Sequence, residues 1–329
     1  MRNLITDIGG ITVGHATDVA LASGVTAIVF DRPAVVSVAV LGGAPGGQDT
    51  AMLEPEMTIG AIDAVALSGG SVWGLDAAGG VRAALREQGR GFVMRGAPVP
   101  LVSCAILFDL GNGGSLDWGR FPPWRDLGYE AARNAASGDF ALGSVGAGTG
   151  ATTANVKGGL GSASAVTAGG RVVGAVAAVN ALGTPLIGDG PWFWAAPFEQ
   201  GAEFGGRGWP ERMPPAALTP RLKRTGAAAT TIALVATDAS LSKPQAKRLA
   251  LMANDGLSRA LLPAHAPMDG DTVFAAATGD GPAADERELT EIGQAATMVL
   301  ARAIARGVYE AAPLPFPGAV PGWKQRFDG

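Results

Sequence analysis

The sequence predicts an α/β protein whose sheets are buried layers with helices packed outside them. Three observations predict it. Fifty glycines and 22 prolines among 329 residues are too many for a helix bundle and suit tight turns between strands. The strand-like runs are apolar almost throughout instead of alternating, which marks strands covered on both faces. The helical segments carry a single apolar stripe, as helices outside a sheet pair do.

The elements follow in order. Strand-like runs are VTAIVF (25–30), AVVSVAVL (34–41), AIDAVAL (61–67), VPLVSCAILF (99–108), VVGAVAAV (172–179), TIALVAT (231–237) and VFAAAT (273–278). Helices are expected at 71–88, 242–262 and 285–310. In the second, Ser242 can cap, Pro244 lies in the first turn, and Ala246, Leu249, Ala250, Ala253, Leu257, Ala260 and Leu261 keep helical spacing. Leu289, Ile292, Ala296, Val299, Ala303 and Ile304 form the stripe of the third. Between Asn180 and Thr230 the chain is dense in Pro, Gly and aromatics without either period, and loops this long are usually functional or mobile.

Composition excludes several classes. With 47% hydrophobic and 16% charged residues the chain can bury a large core, and residues 1–329 read as one domain. A net charge of −4, with no basic run longer than RLKR at 221–224, gives no footprint for nucleic acid. The start lacks a signal-type segment and no run reaches the ~18 apolar residues of a membrane span, so a cytoplasmic location away from the membrane is the expectation. Cys104 is the sole cysteine and stands in an apolar run, which fits a buried inert thiol. Two histidines, His15 and His265, are too few for a zinc site beside scattered carboxylates. GAGTGA at 146–151 does not complete a phosphate-cradling loop, so no cofactor and no metal are expected. A Ser-His-Asp site would need one of the two histidines as base, and G-x-S-x-G is absent.

Four short elements remain. VKGGLGSAS (156–164) sets Lys157 before a glycine-rich turn, and VAAVNALG (176–183) ends an apolar strand in Asn180. Thr230 and Thr231 open the next strand, and MDGDTVFA sets Asp269 and Asp271 before another. Singly these are turn residues and strand terminators. Together they supply a hydroxyl, a cation, an amide donor and carboxylates, the parts needed for acyl transfer. A cut just before a threonine would give one residue both a hydroxyl nucleophile and an α-amine base. Thr272 in GDTVF is a second position where such a cut would expose a threonine.

With ITDIGGITVGHATD at the start, AVALSGGSVWGLDAAGGV (64–81), VGAGTGATTANVKGGLGSAS (145–164), VAAVNALG, TTIALVATDASLSK and MDGDTVFAAATG, the chain resembles the DmpA-like self-processing N-terminal nucleophile hydrolases. That family includes β-aminopeptidases, the nylon-oligomer hydrolase NylC and the pantetheine hydrolase ThnT. The resemblance implies a four-layer αββα sandwich, self-cleavage between Ala229 and Thr230 into an α chain 1–229 and a β chain 230–329, and homo-oligomers of such protomers. It implies Thr230 as nucleophile, Asn180 in the oxyanion hole, Lys157 beside the nucleophile, and Asp269 with Asp271 orienting it. The expected activity is hydrolysis of short peptides, β-peptides, amino-acid amides or nylon-type oligomers. An acyltransferase of similar fold would share these residues. Ala229 stands where members carry Asn or Gly, which can slow the cut or leave an uncleaved, non-catalytic homologue. Phe108 stands where some members place a tyrosine.

Overall fold

Strands whose two faces are both buried need cover on both sides, and the chain supplies it with four long helices. The computed structural model describes residues 1–223 and 229–328. Its elements run β1 (Ile11–Asp18), β2 (Ser23–Val40), β3 (Gly47–Gln48), β4 (Ile62–Ser68), α1 (Ala77–Glu87), β5 (Phe92–Met94), β6 (Ala97–Val99), β7 (Val102–Ile106) and α2 (Trp124–Arg133). They continue as β8 (Leu160–Val166), β9 (Val172–Asn180), β10 (Thr230–Thr237), α3 (Lys243–Ala260), β11 (Thr272–Ala277), α4 (Glu286–Tyr309) and α5 (Trp323–Phe327).

The strands hydrogen-bond in the order β3-β7-β4-β2-β11-β10-β9-β8, and β1 also pairs with β2. The 18-residue β2 joins two sheets: Ser23–Phe30 pairs with β1, Val25–Val29 also pairs with β4, and Val35–Val40 pairs with β11. The runs at 25–30 and 34–41 are thus one strand, with exposed Asp31–Pro33 between them and a register shift between Val29 and Ala34. Pro33 cannot donate to a ladder, so it falls where pairing is interrupted. Pro100 and Leu101 likewise divide the run at 99–108 between β6 and β7.

Alternation assigns the layers. Ile232, Leu234 and Ala236 of β10 enter the core between the sheets with Val65 and Leu67 of β4, whereas Ala233 and Val235 face α3 and α4. Ala64 and Ala66 of β4 turn outward to α1 and α2. The order of layers is helix, sheet, sheet, helix, the expected αββα sandwich. Ser242 caps α3 by accepting from the Gln245 amide, and the Gln245 side chain accepts from the Ser242 N–H. α2 has no counterpart among the expected helices, and residues 71–76 form a 3-10 turn leading into α1.

α4 lies directly on β8. A Cβ on Gly161 would fall 1.9 Å from the Ala303 carbonyl oxygen, and one on Gly307 would fall 2.7 Å from the Gly161 nitrogen, so only glycine permits this approach. The segment between β9 and β10 packs closely as far as it is described. Phe193 and Phe204 are buried, and Phe193 stacks on Trp323 with centroids 5.8 Å apart. Residues 224–228 lie outside the described residues. Among the described residues, no helix is long and apolar enough to cross a membrane.

Arg302 of α4 fastens that segment to the sandwich. Its buried guanidinium meets Glu203 at 2.6 and 3.0 Å, the Ser164 carbonyl at 3.0 Å and Asn3 Oδ1 at 2.8 Å. Removing one partner of a buried, bidentate pair strands the other, at a cost of about 3–5 kcal/mol. Arg302→Ala should destabilise the protein by that amount in a denaturant titration; a loss below about 1 kcal/mol would show that Arg306, 3.6 Å from Glu203, replaces it.

Candidate active site

The site forms where three strands of one sheet begin or end together. β9 runs antiparallel to β10 and ends at Asn180, so Asn180 pairs with Thr230, the first residue of β10. β11 runs parallel to β10 and starts at Thr272, so the residues just before it lie beside the start of β10. Ala229 bridges Asp269, and the Thr231 N–H donates to Asp271 Oδ1 at 2.8 Å. Strand register alone brings Asn180, Thr230, Asp269 and Asp271 together, and all four are buried.

The Ala229–Thr230 peptide lies at the centre. The Thr230 hydroxyl donates to the Ala229 carbonyl oxygen, which also accepts from the Gly270 N–H at 3.0 Å. Gly270 leaves room for this: a Cβ there would lie 2.6 Å from Thr230 Oγ1 and 2.8 Å from the Ala44 carbonyl oxygen.

Asn180 is held on every side. Its amide donates to the Phe108 carbonyl at 2.8 Å, and its Oδ1 accepts from the Thr152 N–H at 3.0 Å and from Lys223 Nζ at 2.8 Å. Lys157 is buried, and its amine donates to the carbonyls of Gly148 (3.1 Å), Ala151 (2.7 Å) and Gly158 (2.8 Å) rather than to Thr230. Burial lowers the Lys157 amine to about 7, against the attraction of Asp109. Burial raises Asp109 to about 6, although the Gly70 N–H, Ser23 and Lys157 favour its charge. Beside Lys157, residues Thr152, Asn112, Leu314, Pro317 and Val320 line a cavity of about 290 Å³.

The carboxylates differ from each other. Burial and the charge of Asp271 raise Asp269 to about 6, against the N–H groups of Leu182 and Ala266 and the charge of Lys223. Asp271 accepts from the N–H groups of Thr231 and His265, and its Oδ2 lies 3.0 Å from His265 Nδ1. Burial works against the charged His265 imidazole, but the hydrogen bond and charge of Asp271 prevail and raise its pKa. Among the described residues, no group of three or more His, Cys, Asp or Glu is placed to hold a metal ion.

Of the residues singled out in the sequence, Thr230, Asn180, Asp269 and Asp271 converge, while Lys157 adjoins them from its cage of carbonyls. Thr272 starts β11 one strand away, with its hydroxyl donated to the Gly270 carbonyl. His15 lies elsewhere, on β1 against Thr26 and Phe140, and burial lowers it to about 4. Cys104 is buried in β7 with its thiol pushed up to about 12, in keeping with an inert side chain. Sequence reasoning missed Lys223, Asp109 and the place of His265. Lys223 was visible only within RLKR, whose last residue is not among those described.

The layers define a protein of the N-terminal nucleophile hydrolase fold. The structure of the L-aminopeptidase D-Ala-esterase/amidase of Ochrobactrum anthropi, described as a variant of that fold, superposes with a TM-score of 0.71. That match is 21% identical and covers 99% of this chain and 92% of the other. A Burkholderia β-aminopeptidase matches with a TM-score of 0.69 at 22% identity, over 99% of this chain and 92% of its own. Residues 3–319 match peptidase family S58, and the chain belongs to that family. An uncharacterized aminopeptidase of Mycobacterium tuberculosis is 41% identical, covering 99% of this chain and 98% of the relative. A 6-aminohexanoate-oligomer endohydrolase of Kocuria sp. is 28% identical, covering 83% and 74% respectively.

The His265–Asp271 contact has a pH signature. Because folding raises the imidazole pKa, folding takes up a proton. The stabilisation is complete below the unfolded value near 6.5 and is lost as pH rises through the folded one. His265→Gln should therefore lower stability more at about pH 5.5 than at about pH 9 in denaturant titrations. Equal losses would mean that folding leaves the imidazole pKa at its unfolded value.

Proposed function

We propose that this chain is a self-processing aminopeptidase or amidase that cuts its own Ala229–Thr230 bond and then uses Thr230 as an N-terminal nucleophile. One observation carries the reading: the Thr230 hydroxyl touches the carbonyl of the bond to be cut, and the Gly270 N–H already donates to that carbonyl's oxygen. Attack of Oγ1 on the Ala229 carbonyl carbon forms an ester and breaks the C–N bond, and the hydroxyl proton passes to the departing nitrogen. Water then hydrolyses the ester, leaving an Ala229 carboxylate and a Thr230 α-amine. Gly270 is positioned to steady the negative charge that develops on the Ala229 oxygen.

The same residue then serves substrate. The α-amine accepts the hydroxyl proton as Oγ1 attacks a substrate carbonyl, Asn180 donates to the developing oxyanion, and an acyl-enzyme follows. Lys157, in its charged form, lowers the pKa of a nearby amine and so favours the basic form. The names of the relatives, aminopeptidase and 6-aminohexanoate-oligomer endohydrolase, support short peptides, amino-acid amides or nylon-type oligomers as substrates. Ala229 favours the alternative of a chain that stays whole, and mass analysis separates the two.

Intact mass should show two chains, 1–229 and 230–329, and Thr230→Ala should leave one. Ala229→Asn should speed the conversion if alanine is what slows it, and amidase activity should rise in step with the cleaved fraction. A single-chain protein that hydrolyses a small amide as fast as the cleaved one would reject the mechanism. Asn180→Ala should lower kcat by about 10²–10³, the effect of losing one preorganised oxyanion donor. An unchanged kcat would leave Asn180 a strand terminator.

A further inference from the structure

Among the described residues of the segment preceding the Ala229–Thr230 bond, Lys223 reaches the site with its side chain. Its Nζ donates to Asn180 Oδ1 at 2.8 Å and to the Asn180 carbonyl at 3.0 Å. Its backbone is fixed independently: the Lys223 N–H donates to the Leu182 carbonyl at 2.9 Å, and the Leu182 N–H donates to Asp269 Oδ1 at 3.3 Å. The ring Lys223–Leu182–Asp269–Ala229 thus connects the lysine to the bond six residues downstream. Lys223 as a residue is partly exposed while its amine is enclosed, the reverse of the usual disposition, in which the stem is covered and the charged head lies in water.

We propose that Lys223 is a positioning residue for self-cleavage, holding Asn180 and balancing Asp269 in the uncleaved chain, and that self-cleavage depends on it more than hydrolysis of substrate does. This rests on the self-processing reading above. The division of labour follows from register. Thr230 pairs with Asn180, so the α-amine freed by the cut emerges opposite the residue that Lys223 holds, and the N–H groups of that neutral amine can take over part of the contact that Lys223 makes in the uncleaved chain.

Three ionisable groups face the Lys223 amine: Asp269 from the turn before β11, Asp109 from the end of β7, and Lys157 from the turn before β8. Burial lowers the amine to about 7, with Asp269 opposing the shift. It is therefore charged below that pH and neutral above. Assistance that depends on the ammonium fades as pH rises past about 7. A guanidinium stays charged across this range.

The test separates conversion from turnover. Precursor conversion is followed by intact mass across pH 5–9, and kcat for a small amino-acid amide is measured per cleaved protomer, in the wild type and in Lys223→Met, Lys223→Gln and Lys223→Arg. The expected result is conversion slowed at least tenfold by Met and Gln, rescue by Arg with loss of the fall above pH 7, and, for Met and Gln, a loss in kcat per cleaved protomer clearly smaller than the loss in conversion. Unchanged conversion in Lys223→Met overturns the proposal, as does a fall in kcat that matches the fall in conversion. A wild type that stays whole, or a Thr230→Ala variant that still converts, overturns the self-processing reading and this proposal with it, and either shows without any Lys223 variant.

Discussion

The site depends on the register of three adjacent strands. Because β9 meets β10 antiparallel and β11 meets it parallel, the start of β10 receives the end of one neighbour and the approach to the other. A slip of β10 by one residue would move Thr230 away from Asn180 and turn Ile232 and Leu234 from the inter-sheet core to the helix side. The apolar alternation that fixes the core therefore also fixes where these strand ends meet.

Against this rigid frame stands a cluster of charges with little water to share. Lys157 and Lys223 face Asp109 and Asp269, with Asp271 beside Asp269 and His265 at the edge. Burial shifts both lysines, Asp109 and Asp269 toward their neutral forms, and each neighbour of opposite sign pulls back. The backbone completes the balance: three carbonyls receive Lys157, and amide N–H groups reach Asp109, Asp269 and Asp271. The charge states of Lys157, Lys223, Asp109 and Asp269 are therefore linked.

Much of this was legible in the sequence, for physical reasons. Strands buried on both faces leave unbroken apolar runs, and the runs ending at Asn180, starting at Thr231 and starting at Val273 became β9, β10 and β11 within a residue or so. The continuity of β2 was hidden because Asp31–Pro33 looks like a turn, and only tertiary pairing shows the strand passing through it. α2 was missed although Trp124, Leu127, Gly128, Ala131 and Ala132 keep helical spacing, because Pro122 and Pro123 make its start resemble the surrounding loop. Lys223 and Asp109 could not be read at all. Neither belongs to a chemical motif, and their places depend on where the long segment and the end of β7 come to rest.

The strand order has a consequence for a chain opened between Ala229 and Thr230. β10 and β11 lie next to each other inside the sheet, bounded by β9 on one side and β2 on the other, and both bounding strands come from the part before that bond. The two pieces would be interleaved rather than set side by side, joined along two hydrogen-bonded seams and both faces of a common core. Such a pair behaves as an obligate heterodimer: dilution cannot separate its subunits short of unfolding them, and the opened chain keeps its shape without the link that first specified it.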